Sequence, residues 1–211
     1  MKRLVYILTL LISSITISAS NISTTYSKGS FHTSKKVIAQ ADFNTCSRMI
    51  DDFIYQFQTN PAQLFTWALK NTGQTHKNDG SDDVVLIMNK VSYNPDSAKS
   101  IINADFRMSN GLTIRDKDLM SYVHDRTISN NQRIINVDFY YSGSLLKKAE
   151  GIFQLLSIDD TQTQISIDIN VRFGWFFNLF ITQKRYRNVM EWRIGQFVDN
   201  LKEEAEQRSN I

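Results

Sequence analysis

The stretch that most constrains the fold is Ile165–Phe173. Ile165, Ile167, Ile169, Val171 and Phe173 alternate with Ser166, Asp168, Asn170 and Arg172. Successive side chains of a strand point to opposite faces, so this is an antiparallel strand with one face in a core and one in water. Gly174 ends it. A helical stripe then runs through residues 176–207: Tyr186, Val189, Met190, Ile194, Phe197, Val198 and Leu201. Asn178 or Thr182 is its candidate cap, and Lys202, Glu203, Glu204 and Glu206 mark a solvated end. A nine-residue strand at about 3.3 Å per residue spans about as far as a twenty-residue helix at about 1.5 Å. The two apolar stripes therefore match in length. Met190, Ile194 and Phe197 are expected to lie across Ile165, Ile167, Ile169 and Val171, removing both stripes from water. Gly195 sits mid-helix at a cost of about 1 kcal/mol against Ala, which suggests close approach of another backbone.

Upstream, Phe43, Cys46, Met49, Ile50, Phe53, Ile54 and Phe57 share one helical face. Asp42 is its candidate N-cap. Asn60-Pro61 restarts a second helix, with Asn as cap and Pro at the first position, under Leu64, Phe65, Ala68 and Leu69. Cys46 belongs to the first stripe and is expected as a small buried core residue. Residues 71–83 are polar with two Gly, a loop. From Val84 the period changes to two. Strands are expected around 84–93 and 99–108, with Asn94-Pro95-Asp96 and Asn110-Gly111 as turns. Leu112-Thr113-Ile114 starts a short strand. Residues 116–131 fit either a short helix under Leu119, Tyr122 and Val123 or a strand ending near Ile128. Ile135, Val137, Phe139 and Tyr141 alternate with polar residues, and Ser142-Gly143 turns the chain into a strand over 145–158. Gly151 within that strand suggests a bulge or bend.

The beginning of the chain reads as an address. Lys2 and Arg3 precede 14 uncharged residues, Leu4 to Ile17, and Ser18-Ala19-Ser20 offers a cleavage site, the layout of a secretory signal over 1–20. The apolar run is shorter than the ~20 residues of a membrane span. No Cys follows it for lipid attachment. Residues 21–36 are rich in Ser and Thr without periodicity and read as a flexible linker. Asn21-Ile22-Ser23 fits a glycosylation sequon. One folded domain is expected over 37–207, with a tail at 208–211.

The net charge of +3 falls to +1 once residues 1–20 are removed. That excludes a strongly basic nucleic-acid binder. The single Cys excludes an intrachain disulfide and a Cys-based zinc site. His32, His76 and His124 lie far apart and form no ligand motif. His124-Asp125-Arg126 reads as a polar surface segment. There is no GxSxG, GxGxxG or phosphate loop. Asp105, Asp138 and Asp168 fall on the polar faces of strands, where acid–base work would require them to converge in a cleft. Two features remain. Lys184, Arg185 and Arg187 gather at the start of the last helix, the end the helix dipole disfavours for cations. Trp175, Phe176, Phe177 and Phe180 place four aromatics after Gly174, as core, as the wall of an apolar cavity, or as a contact patch.

Two early helices, five or six antiparallel strands and a long amphipathic helix, with Phe173-Gly174-Trp175-Phe176-Phe177 leading into that helix, resemble the START-like helix-grip superfamily of lipid-transfer and polyketide-cyclase-related proteins over about residues 37–207. A nuclear-transport-factor-like cone also begins with helices but finishes in strands, and the final helix argues against it. The resemblance implies an α+β fold in which an antiparallel sheet wraps around the long C-terminal helix, with two shorter N-terminal helices and a cavity between sheet and helix. It also implies a strand before the two helices, for which the sequence offers Val37-Ile38-Ala39. The expected lining is Phe106, Phe139, Tyr141, Phe153, Phe173, Trp175, Met190, Ile194 and Phe197, with the Tyr141 hydroxyl as a polar group. The function that follows is an exported (periplasmic or secreted) binding module for an apolar or amphipathic, lipid-like small molecule. The alternative is an envelope or extracellular interaction domain with a filled core and no ligand. A cyclase-type enzyme needs an inward-facing acid or base, and the strand patterns place none inside. No catalytic residue, metal, cofactor or nucleic-acid partner is indicated, no membrane span remains after cleavage, and no protein partner can be named.

Overall fold

The computed structural model describes residues 22–68, 84–108, 111–141, 146–178 and 181–210. The signal segment 1–20, the loop 71–83, the Ser142-Gly143 turn and the aromatic Phe180 lie outside the described residues. The chain opens with a hairpin of β1 (Ser23–Ser27) and β2 (Ser30–Ala39). Its two-residue turn, Lys28-Gly29, has φ of 51° and 79°. Positive φ at both positions matches the right-handed twist of the flanking strands. The linker expected over 21–36 is thus corrected: most of it is sheet. The alternation went unread because two of the five buried positions of β2 are polar. Phe31, Thr33, Lys35, Val37 and Ala39 all face inward. Each polar one is satisfied: Thr33 Oγ1 lies 3.0 Å from Thr24 Oγ1 and 3.1 Å from Tyr186 Oη.

Helix α1 (Phe43–Thr59) follows. Asp42 caps it, its Oδ1 accepting from the Thr45 amide at 2.9 Å and its Oδ2 from the Thr45 hydroxyl at 2.7 Å. The hydroxyl first and the amide second hold the Asp42 carboxyl below the ordinary range. Cys46, Met49, Ile50 and Phe57 are buried on the expected face. Helix α2 (Pro61–Ala68) starts at Pro61 with Asn60 Oδ1 accepting from the Gln63 amide at 3.4 Å.

Six further strands form a meander: β3 (Val84–Asn94), β4 (Lys99–Met108), β5 (Thr113–Ser129), β6 (Gln132–Tyr141), β7 (Leu146–Ser157) and β8 (Thr163–Phe173). The sheet has eight strands among the described residues, ordered β1-β2-β8-β7-β6-β5-β4-β3 and antiparallel throughout. The ambiguous segment after Asp116 is strand. Its helix-like spacing misleads, because Leu119 and Val123 face inward while Tyr122 faces out. A register shift against β4 falls between Ala104 and Phe106, where Asp116 takes a φ of 56°. Gly151 makes no bulge: it sits in an unbroken ladder between Val137 and Ile169, and the irregularity of β7 lies between Leu146 and Lys148.

After β8 come the single turn α3 (Trp175–Asn178), then α4 (Gln183–Tyr186), a π-helical turn (Arg187–Glu191) and α5 (Trp192–Ser209). The last three run as one continuous C-terminal helix, capped by Thr182, whose Oγ1 accepts from the Arg185 amide at 3.2 Å. Ile194, Val198, Leu201 and Ala205 share a core with Val37, Ala39, Ile165 and Ile167: the helix docks on the expected face, but the buried stripe runs through Ile194 to Ala205, with Met190 and Phe197 only half-buried. Gly195 meets side chains rather than a backbone. A Cβ there would lie 3.5 Å from Ile22 Cδ1 and 3.8 Å from Lys35 Nζ.

Burial orders the cost of truncating this helix. Leu201 is 1% exposed, whereas Phe197 is half-buried. Leu201→Ala is expected to lose about 2–5 kcal/mol, and Phe197→Ala less despite its larger side chain, as read from urea midpoints. A larger loss at Phe197 would mean the helix is rotated about its axis.

Candidate functional site

Register fixes which residues share the face under the C-terminal helix. From β2 outward it carries Phe31, Thr33, Lys35 and Val37; on β8 Ile165 to Phe173; on β7 Ala149, Gly151, Phe153 and Leu155; on β6 Arg133, Ile135, Val137 and Phe139. On β5 it carries Leu119, Ser121, Val123 and Asp125, and on β4 Ser100, Ile102, Ala104 and Phe106. Small side chains, Gly151, Ala149, Ala104, Ser100 and Ser121, alternate with bulky ones on this face and are themselves buried.

Two apolar clusters close its ends. One joins Ile135, Phe153, Leu155, Ile165 and Ile167 to α1 and α5 through Met49, Ile50, Ile194 and Val198. The other joins Met108, Ala149, Val171 and Phe173 to Phe31 and Tyr186. Tyr186 stacks on Phe31 at 4.0 Å between centroids, and burial raises its hydroxyl pKa, opposed by the bond to Thr33. Between the clusters the side chains are apolar and on the inner face, yet only half-buried: Val123, Val137, Phe139 and Ile169 on the strands, Met190 and Phe197 on the helix. Ile169 touches both clusters. These side chains are therefore less covered than those of the two ends. A recess of about 230 Å³ opens where β6 and β7 diverge, lined by Phe139, Leu146 and Ala149 with Asp138, Tyr140, Lys148 and Glu150.

The expected lining is divided by this arrangement. Phe153 and Ile194 are buried in the first cluster with Phe197 half-buried against it, and Phe173 is buried in the second with Phe139 and Met190 half-buried against it. Phe106 is half-buried on β4. Tyr141 ends β6 opposite Leu119, with its side chain outside the described ones. Trp175 is a correction. It is 67% exposed at the first position of α3, directly after the buried Gly174.

A second correction concerns charge. The strand patterns placed no ionisable group inside, but Lys35, Arg133 and Asp125 are on the inner face. Lys35, 5% exposed, donates from Nζ to the Gly195 carbonyl at 2.9 Å and to Asp199 Oδ1 at 2.6 Å. Arg133, 4% exposed, reaches Asp125 and, on α1, Asp51 and the Ser47 carbonyl and hydroxyl. Burial alone lowers the guanidinium pKa, but the bonds to Asp125 and Asp51 outweigh it and raise it. Both cations thus fasten helices to the sheet. The signal that finds them is a lone cation at an inward position of an otherwise apolar alternation. Asp105, Asp138 and Asp168 face outward as expected. Asp138 stands 3.6 Å from His124 and Asp168 3.5 Å from His32. No group of three His, Cys, Asp or Glu able to hold a metal occurs among the described residues.

No family model matches the sequence, and no curated protein matches it. Solved structures do share the arrangement. The Zhui aromatase/cyclase from Streptomyces sp. R1128 superposes with a TM-score of 0.51 at 9% identity, covering 85% of this chain and 95% of that one. A START superfamily protein from Mycobacterium smegmatis gives 0.42 at 16% identity, over 85% and 97%. A truncated norcoclaurine synthase from Thalictrum flavum gives 0.44 at 10%, over 87% and 96%. The chain has a START-like helix-grip fold, and at these identities the likeness carries the fold alone.

Cys46, expected on the first helical stripe as a core residue, is fully buried. Burial pushes its thiol up to about 11, offset in part by the Thr163 hydroxyl. The thiolate is the reactive form, so a thiol two units above its unfolded value presents about 100-fold less of it at pH 8. Native protein is expected to react with a thiol reagent at least that much more slowly than the urea-unfolded chain. Equal rates would put Cys46 outside the core.

Proposed function

We propose that this chain is an exported binding protein for an apolar or amphipathic, lipid-like small molecule, held between the inner sheet face and the C-terminal helix. The observation that carries this reading is the set of half-buried apolar side chains on the inner face, Val123, Val137, Phe139 and Ile169 with Met190 and Phe197, between two closed clusters. Apolar surface on a concave face that the protein leaves unfilled is stabilised by an apolar occupant at about 25 cal/mol per Å². Small-molecule sites are concave and mostly apolar with few fixed polar groups. The helix-grip fold, shared with the Zhui aromatase/cyclase, supports the same reading.

Export rests on the layout of residues 1–20. The fold adds a supporting detail. Ile22 packs against the core and β1 begins at Ser23, so a cut after Ser20 leaves a mature end directly at the folded domain. Among the described residues no helix is long and apolar enough to cross a membrane.

Native mass spectrometry of the purified protein tests the binding reading. The expected spectrum carries a lipid-sized adduct that denaturation removes, and Ile169→Trp, which fills the middle of the inner face, is expected to lose the adduct while keeping its circular dichroism. A clean mass together with no binding of anilinonaphthalene sulfonate would favour a filled interaction domain instead. N-terminal sequencing of exported protein is expected to begin near Asn21. Recovery of Lys2 and Arg3 in the exported form would overturn cleavage.

A further inference from the structure

The end of the molecule where β8 gives way to the C-terminal helix has a surface that the binding reading does not use. The Lys28-Gly29 turn reaches this end beside β8, where a Cβ on Gly29 would lie 3.9 Å from Arg172 Nε. Phe31 ties the parts together, with ring centroids 4.7 Å from Tyr26, 6.0 Å from Phe173 and 4.0 Å from Tyr186. Lys28, Arg172, Lys184 and Arg187 are all exposed here. Arg187 also donates from Nη2 to the Thr24 carbonyl at 3.2 Å, which holds it beside β1. Two aromatics stand out among these cations: Trp175, 67% exposed, and Tyr26, 43% exposed.

The charge is one-sided. Neither 21–41 nor 169–190 contains an Asp or Glu. Of the flanking carboxylates, Asp168 faces His32, Glu150 pairs with Lys148 at 2.8 Å and accepts from Asn170, and Glu191 lies one helical turn after Arg187, close enough to act on the Tyr186 hydroxyl. A chain with a small net charge thus concentrates positive charge at one end and sets an exposed indole in it. A helix dipole does not explain the lysine and arginines of the helix start, since that end repels cations.

We propose that this end docks on the surface of a bilayer containing anionic lipid. Cations near such a surface are attracted to the headgroups, while an indole settles at the headgroup level with its apolar body inward and its N–H wet. The two requirements, basic side chains and an exposed Trp, meet at this one end of the molecule. The inference does not require the inner face to hold a ligand.

Tryptophan quenching by vesicles with brominated acyl chains tests it, using the full chain. Residues 1–20 contain no Trp, so any association through them leaves no direct signal and is shared by all variants. Vesicles of brominated phosphatidylglycerol are expected to quench emission strongly, and brominated phosphatidylcholine weakly. Half-molar salt is expected to abolish most of the difference. Trp175→Phe is expected to remove the quenching. Each basic side chain at an anionic surface contributes about fivefold, so Lys28→Gln with Lys184→Gln is expected to weaken partition about 25-fold. Both lysines are exposed, and an unchanged melting curve confirms that the variant folds. Equal quenching by the two lipids, or quenching unaltered by Trp175→Phe or by the double variant, would overturn the proposal. So would shielding of Trp175 from acrylamide by polyglutamate but not by vesicles, which would assign the surface to an acidic protein partner.

Discussion

The pairing of β2 with β8 is the contact on which the other elements depend. It joins residues 31–39 to 163–171 in an unbroken antiparallel register, so it closes a loop of more than a hundred residues. Chain entropy opposes such closure, though only logarithmically in its length. Once made, it fixes both helical layers. Ala39 is followed within three residues by α1, and Phe173 within one by α3 and then the long helix. Because the two strands are antiparallel, these helices leave from opposite ends of adjacent strands. They return over the same face of the sheet. Without the pairing, α1 and α5 would have no common surface to cover.

That surface is pinned by polar groups as well as by apolar burial. Lys35 holds α5 through the Gly195 carbonyl and Asp199, Arg133 holds α1 through Asp51 and Ser47, and Thr33 holds the helix start through Tyr186. A buried cation costs several kcal/mol of lost hydration, which its partners must offset. Such pairs add little net stability, but they are directional where apolar contacts are not. A one-residue slip of β2 would turn Lys35 out and bring Lys36 in, leaving Asp199 unpaired and the alternation inverted. The pins thus act on register and on the placement of the helices more than on stability.

The same groups explain what could and could not be read in the sequence. The strand at Ile165–Phe173, the stripe through Ile194, Val198 and Leu201, and the capped helix from Phe43 are legible because apolar residues carry their buried faces, with Ser166, Asn200 and Thr45 as the buried polar exceptions. The β1–β2 hairpin was hidden because Thr33 and Lys35 occupy buried positions and because Ser and Thr are also linker residues. Period alone could not decide the segment after Asp116, where Leu119, Tyr122 and Val123 satisfy a helical spacing and a strand needs only Leu119 and Val123 on one face. Gly151 looked like a bend, but a missing side chain on an inner face also makes a shallow place in a regular ladder. The site was legible as a class of residues and not as a place. Phe153, Phe173 and Ile194 were expected as lining and are core, and Trp175 was expected inside and stands in water. Hydrophobicity says that an aromatic is stabilised by cover, but not whether a helix, a ligand or a membrane supplies it.

The incomplete cover of Val137, Phe139 and Ile169 on the inner face follows from widths. Eight strands about 4.8 Å apart make a sheet about 34 Å across. Packed helices lie about 8–10 Å apart, so α5 and α1 side by side cover roughly 20 Å of it. The C-terminal helix packs chiefly on β2 and β8, and α1 chiefly on β7, while α2 reaches β3 at the far edge. The strands between are met by α1 at points, β6 through Arg133 and β4 through the Ser100 hydroxyl on the Phe57 carbonyl. Curling the sheet brings their inner face toward the helices, and the register shifts between Met88 and Lys90 and between Ala104 and Phe106 fall in the strands that must curl most. Such irregularities increase local bending and twist. The small residues of this face, Gly151, Ala149, Ala104, Ser100 and Ser121, are themselves covered by their bulkier neighbours, so the surface that the curled strands leave half-buried is that of Val137, Phe139 and Ile169.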